Sequence, residues 1–260
     1  MIWIENIGDY AYKYFIGIKE QVSLFTEAIY WSTFGRFNKN AISMKGTVSQ
    51  MNRLGGDAFP IVTILTFLIG LTIAYQSAVQ LKLLGGEIYL ARGIGISMFS
   101  EIGPLLTAII IAGRSGSAIT AEIASMVVND EVKSLYAMGI NPVAYLVVPR
   151  FLAMTFAVPL LTYAAVISGI LAGLIIASLL AQIPLTIYIS ELRNGVPTYL
   201  IWQCAVKSIV FSWIICVVAC HKGLIAKGGA DAVGAATTLC VVNSIAAVIV
   251  ADAVFSFLFY

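Results

Sequence analysis

The chain has 260 residues, 60% of them hydrophobic and 11% charged, with a mean hydropathy of +0.95 and a formal net charge of +2. So apolar a composition excludes a soluble globular domain and describes a polytopic membrane protein. The small, scattered charge excludes a nucleic-acid binder.

Residues 2–34 set Trp3, Ile7, Tyr10, Tyr14, Ile18, Phe25 and Ile29 at helical intervals. Glu5, Asp9, Lys13, Lys19, Glu20 and Glu27 interrupt every run long enough to cross a bilayer. This predicts an amphipathic helix lying in the membrane interface with its aromatics inward, or packed on the protein's own spans. The stretch lacks the basic start, compact apolar centre and small-residue cleavage site of a signal peptide. A polar stretch from Arg36 to Arg53, with Lys39 and Lys45, completes an N-terminal segment, 1–53, ahead of a membrane domain, 54–260.

Five spans are expected in that domain. The first is 58–81, uncharged and long enough to cross, with Asp57 and Pro60 at its start as a helix N-terminus prefers. After a loop, 82–92, containing Gly85 and Gly86, the second span begins near Gly93. From Ile123 to Met138 the chain turns polar, which predicts a short helix outside the membrane, with Asn129 as its cap, Asp130 and Glu131 in its first turn and Gly139 at its end. Residues 151–190 carry no charge, more than one crossing needs; Pro184 predicts that the third span stops near Ala181 and that an apolar loop runs on through Arg193, Asn194, Gly195 and Pro197. The fourth span covers 198–221 with Lys207 inside it, a glycine-containing basic connector covers 222–231, and the fifth span covers 232–257. The expected fold is all-α. With the N-terminus inside, eleven basic residues fall in inner segments and only Lys82, Arg92 and Arg193 in outer ones, so the bias orients the chain N-inside, C-outside.

Chemistry concentrates in residues 101–122, EIGPLLTAIIIAGRSGSAITAE. An acid inside a span costs about 2.5–3.5 kcal/mol on insertion scales and is kept where it meets a cavity or a partner charge. Pro104, after Gly103, removes a backbone donor at membrane depth, a break tolerated where backbone meets protein or cavity. Lys207 and Asp252 fall at a similar depth on the fourth and fifth spans, so the three charges predict a polar cluster, lining a cavity or locking spans four and five through a Lys207–Asp252 pair. Ser100, beside Glu101, and Leu71, Tyr75 and Val79 on span one are its candidate polar and apolar lining. Gly113, Gly116, Ala118 and Ala121 have the spacing of closely approaching helices. No phosphate-binding Gly-x-x-x-x-Gly-Lys-Ser/Thr, HExxH or GxSxG sequence occurs, so any ATP-driven step belongs to another subunit. Cys204, Cys216, Cys220 and Cys240 lie in apolar runs with His221 alone nearby, and read as small core residues.

These same residues carry a resemblance. Glu101, Gly103 and Pro104; Ala112, Gly113 and Arg114 with Gly116, Ser117 and Ala118; Ala121, Glu122, Ile123 and Met126; Met138, Gly139, Pro142, Pro149 and Arg150; and Gly234 to Thr238, Ser244 and Asp252 resemble the signature of the MlaE (YrbE) permeases. Those are the membrane subunits of ABC transporters that move phospholipid between the bacterial inner membrane and an Mce-domain carrier in the periplasm, in systems that maintain outer-membrane lipid asymmetry. The resemblance implies a homodimeric, non-catalytic permease in the inner membrane with no cofactor of its own, ATP being used by a partner ATPase. It implies that Asn129, Asp130, Glu131, Lys133, Leu135 and Met138 form the coupling helix that docks on that ATPase. Asp130, Glu131 and Lys133 stand where relatives commonly have Glu, Gln and Asp, and Ser100 stands where some have Arg. Two other classes are weighed against this: an ion-coupled secondary transporter using Glu101 or Asp252, against which no internal repeat is visible, and a non-transporting scaffold.

Overall fold

The computed structural model describes residues 2–34 and 44–259, and the side chains of 16–33 and 46–259. The expectations for Trp3, Ile7, Tyr10 and Tyr14, and for Arg36, Lys39 and Lys45, lie outside the described side chains. Among the described residues every regular element is helical. Helix α1 is Ile2–Phe34 and α2 is Met44–Leu54. The first span is α3, Phe59–Leu83. The second is one long rod of α4 (Leu90–Ser97), α5 (Gly103–Ile111) and α6 (Ser117–Val128), joined by π-turns at Met98–Ile102 and Ala112–Gly116. Then come α7, Glu131–Ala137; α8, Val148–Leu179, the third span; α9, Leu185–Gly195; α10, Thr198–Leu224, the fourth; and α11, Ala230–Phe259, the fifth. Five helices are thus long and apolar enough to cross a membrane.

The bundle is held by small residues rather than by apolar faces turned inward and polar faces outward, since lipid gives apolar side chains no reason to segregate. On α3 the buried positions Val62, Thr66, Gly70, Ala74 and Ala78, with Ala58 just ahead of them, recur every fourth residue. This stripe lies against α8, where a Cβ added to Gly70 would stand 2.8 Å from the Cα of Gly169. The helices therefore touch backbone to backbone. Ser168 Oγ donates to the Thr63 carbonyl across the same seam at 2.7 Å.

Proline positions account for two of the wide turns. At the Met98–Ile102 turn the Gly103 N–H reaches back to the Met98 carbonyl, five residues away, immediately before Pro104; the Val143–Val147 turn repeats this with Val148 N–H, Val143 O and Pro149. A ring with no N–H cannot close a normal turn, and widening the preceding turn keeps the helix continuous at membrane depth. The second span consequently does not break at Pro104.

Two expectations are corrected. The helix expected over 123–138 is split. α6 continues from the span as far as Val128, Asn129 ends it instead of capping the next helix, and Asp130 sits left-handed at φ 59° before α7 begins. Asn and Asp favour such turns because their short polar side chains compete with helical backbone bonds. Gly139, at φ 74°, ends α7 as expected. The loop expected after Pro184 is the helix α9, which buries Tyr188 and Gly195 and packs on α4. Its apolar residues cover the bundle end at one-turn intervals, a pattern hidden in sequence by the uncharged run before it.

α1 lies at the α7 end of the bundle. Leu24 and Ala28 are buried, and Phe25 meets Phe151 and Trp213 at ring-centroid distances of 6.0 and 5.7 Å. Polar ties flank this contact: Glu20 to His221 and Glu27 to Asn141, both at 3.0 Å. Ile18 and Ile29, on other faces, are exposed.

Candidate functional site: a buried charge cluster and its surroundings

Lys207 projects from the middle of α10 and is fully enclosed. Its Nζ donates to Glu101 Oε2 at 2.6 Å and to Asp252 Oδ1 at 2.9 Å, so one ammonium ties the second, fourth and fifth spans together. Ser256, one turn beyond Asp252 on α11, donates its hydroxyl to the other Glu101 oxygen at 3.0 Å. Glu101 lies within the π-turn ahead of Pro104, where the widened backbone changes the direction of the side chains that follow. The enclosure is unequal: the Glu101 side chain is 33% exposed, Asp252 14% and Lys207 not at all. With both acids ionised the trio carries a net charge of −1, and Glu101 presents it to the surface.

The remaining candidates make no bond to this cluster among the described residues. Ser100 is buried beside Glu101. On α3, Leu71 is half-buried while Tyr75 and Val79 are exposed. Gly103 is packed hard, since a Cβ there would come within 2.4 Å of Val166; Pro104 is buried next to it. Gly116 packs on Ile215, whereas Gly113 faces open space and packs against nothing within the described chain.

A second set of charges ties the α7 end together. Arg150 and Arg53 share the two oxygens of Glu122 at 3.0 and 3.2 Å, and Arg114 reaches Asp57 at 3.2 Å. Arg114 also donates to the Arg53 carbonyl, and Ser115 donates to the Leu54 carbonyl at 2.8 Å, so the end of α2 is stitched to the second span. Arg150 additionally donates to the Leu146 carbonyl. Sequence reading singled out Arg114, Glu122 and Arg150 without a partner for any of them. Only the fold shows that they form one collar.

On α7, Val132 and Leu135 turn inward onto Leu146, while Tyr136 and Met138 are exposed at 66% and 64%. Lys133 pairs with Asp130 at 2.7 Å on the solvent side. Tyr136 was missed in sequence because an isolated tyrosine in a polar stretch carries no periodic signal. Gln203, one turn from Lys207, is buried with neither amide atom bonded among the described residues, and no motif pointed to it.

At the opposite end a cleft of about 470 Å³ opens between α3 and α4. Its polar lining includes Ser77, Gln80, Arg92 and Ser97, its apolar lining Ile73 and Ile94. α9 backs this region: Tyr188 donates to the Ile170 carbonyl at 3.0 Å, and burial pushes its phenol up to about 12.

Comparison with known proteins agrees with the geometry. The family model described as permease MlaE matches residues 47–258. A probable ABC transporter permease protein of Synechocystis is 35% identical over 84% of this chain and 83% of its own length. A probable ABC transporter permease protein of Rickettsia prowazekii is 31% identical over 82% of each chain. The chloroplast protein trigalactosyldiacylglycerol 1 of Arabidopsis is 29% identical over 86% of this chain and 64% of its own length. A match over nearly all of the five-span bundle, including every member of the charge cluster, makes this chain a member of the MlaE permease family, a multi-pass membrane permease of an ABC transporter.

Proposed function

We propose that this chain is the non-catalytic permease subunit of an ATP-driven lipid transporter, and that the Glu101–Lys207–Asp252 cluster borders the path of the lipid headgroup. The observation carrying this is a fully enclosed lysine braced by two acids, one of which reaches the surface of an otherwise apolar bundle. A structural clamp alone needs one partner for one charge; here a second carboxylate, Glu101, reaches the surface, where it can accept hydrogen bonds from the hydroxyl or amine groups of a headgroup. Tyr75 and Val79, exposed on α3, and Leu71 offer apolar surface to acyl chains. The Arabidopsis relative is itself named for a diacyl galactolipid, which supports a lipid cargo.

Five spans enclose little space, and α11 is largely exposed along its length, with Phe257 at 90%. A homodimer that pairs such faces around a two-fold axis would build a larger path. The basic-residue bias supports an orientation with the α7 end and α1 in the cytoplasm and the C-terminus in the periplasm, the membrane being a bacterial inner membrane on this reading. There the exposed Tyr136, Met138, Asp130, Glu131 and Lys133 would meet the ATPase, with Asn129 setting the turn and Leu135 holding α7 to the bundle. ATP is the partner's cofactor and this chain needs none. An Mce-domain carrier would meet the periplasmic end and exchange phospholipid with the cavity.

The test is copurification followed by reconstitution. An ATPase chain in stoichiometric amount, and ATP-dependent movement of labelled phospholipid between vesicle and carrier, are expected. Glu101→Gln should lower that transport while the protein stays folded and dimeric. A chain that binds no ATPase and moves no lipid overturns the reading.

A further inference from the structure

α7 has seven residues, Glu131–Ala137, about two turns, and a helix so short does not hold its own shape or place. Two of its side chains face inward: Val132 and Leu135 rest on Leu146, with Val127 and Leu224 packed beside them. Its far end is a closed turn. Gly139 N–H bonds to the Tyr136 carbonyl and Ile140 N–H to the Leu135 carbonyl, both at 3.0 Å, the paired closure of a helix that stops at a left-handed glycine. The position of α7 is therefore set by its seat on Leu146 and by what holds the chain just past Ile140.

Asn141 holds it, using both ends of its amide. Its Oδ1 accepts from Val143 N–H at 2.8 Å, an Asn turn over Pro142 that starts the π-turn Val143–Val147, on which Leu146 stands. Its Nδ2 donates to Glu27 Oε1 of α1 at 3.0 Å. α1 is seated on the bundle by further contacts: Leu24 and Ala28 are buried, Phe25 lies against Phe151 and Trp213, and Glu20 meets His221 at 3.0 Å. Glu20, Leu24, Glu27 and Ala28 fall three or four residues apart and so share one side of the helix. Phe151 belongs to the third span, Trp213 and His221 to the fourth. Glu27 thus ties a helix seated on two spans to the turn from which α7 hangs.

We propose that α1 is a brace for α7, with Glu27 and Asn141 as positioning residues that make α7 and the bundle move as one piece. Load applied to α7 reaches the spans through Leu146 and through this bond; without the bond α7 shifts and the spans do not follow. The purpose of the brace rests on the reading of α7 as the ATPase-docking helix, whereas the brace itself is a property of this chain alone.

Asn141→Asp separates the two bonds of the amide. It keeps the acceptor for Val143 N–H, so the turn survives, and it removes the donor to Glu27, setting two carboxylates against each other. Adding Glu27→Gln supplies a donor from the α1 side and restores the tie with the roles reversed. The first measurement is hydrogen exchange on the full chain in nanodiscs, without ATPase. Amides of residues 134–138 should exchange about tenfold faster in Asn141→Asp, the low end for losing a hydrogen bond to a charged group, and return toward the parent rate in the double variant. Amides within α10 should not change in either. Phe25→Ala, which loosens α1 from Phe151 and Trp213, should speed the same α7 amides. The second measurement adds the ATPase subunit and labelled phospholipid: Asn141→Asp should lower the lipid moved per ATP hydrolysed severalfold, and the double variant should recover it. Exchange in α7 indifferent to Asn141→Asp, or a double variant no better protected than the single one, would overturn the brace. Faster α7 exchange with an unchanged ratio of lipid to ATP would retain the brace and reject α7 as the docking helix.

Discussion

Removing the lysine at the centre of the cluster should harm the protein more than removing the lysine and one of its acids together. Lys207→Met deletes the cation that bonds Glu101 Oε2 and Asp252 Oδ1, at 2.6 and 2.9 Å, and leaves two carboxylates facing the same apolar space. Stranding buried charge in this way costs about 3–5 kcal/mol in general. The lower end applies here, because Glu101 is one-third exposed and keeps its bond from Ser256, while Asp252, at 14%, is poorly hydrated. Adding Asp252→Asn leaves only the hydrated acid charged, and the net loss should fall to about 1 kcal/mol. For a chain of this size 1 kcal/mol corresponds to a Tm change of about 2–4 °C, so the single variant should melt roughly 6–12 °C below the parent and the double variant about 2–4 °C below. Thermal unfolding in detergent, followed by size-exclusion of the surviving fold, measures both. A double variant as unstable as the single one, or a single variant as stable as the parent, refutes the reasoning.

The seam between α3 and α8 should be intolerant of side chains: Gly70→Leu meets Gly169 backbone at 2.8 Å with no flexible atom to yield, and loss of folded protein on size-exclusion is the expected result. Reversing Asp130 and Glu131 to Lys should abolish ATPase association while the protein stays folded, with only a small Tm decrease from the left-handed backbone at Asp130 and its lost pair with Lys133; retained association and transport would reject the docking assignment. A reporter fused after Tyr260 should signal from the periplasm if the charge bias orients the chain, and a cytoplasmic signal would reverse the proposed orientation. Tyr188→Phe should cost about 1 kcal/mol through the lost bond to the Ile170 carbonyl, read as a small Tm decrease.

Local composition was enough to define the membrane class, the five spans to within a few residues, and the oddity of residues 101–122, because hydropathy and helix breakers act over a single turn or a single crossing. Depth along the spans was enough to expect Glu101, Lys207 and Asp252 in one cluster with Lys207 and Asp252 as a pair, but not the bond from Lys207 to Glu101 or the tie from Ser256. Glu101 meets Lys207 across 106 residues and Lys207 meets Asp252 across 45, and depth along separate spans says nothing about which faces turn toward one another. Rotation of each helix is decided by small-residue contacts such as Gly70 on Gly169 and by the π-turn at Met98–Ile102, both set by tertiary packing. The same is true of α9: its first residues, 185–190, continue an uncharged run in sequence, and only the contact of Gly95 with Leu192 and Val196, and of Gly195 with Arg92, gives that helix a face to bury. Apolarity is a property of each residue. Mutual position belongs to the assembled bundle, where backbone approach and the pairing of buried charge select one arrangement among many with equally apolar surfaces.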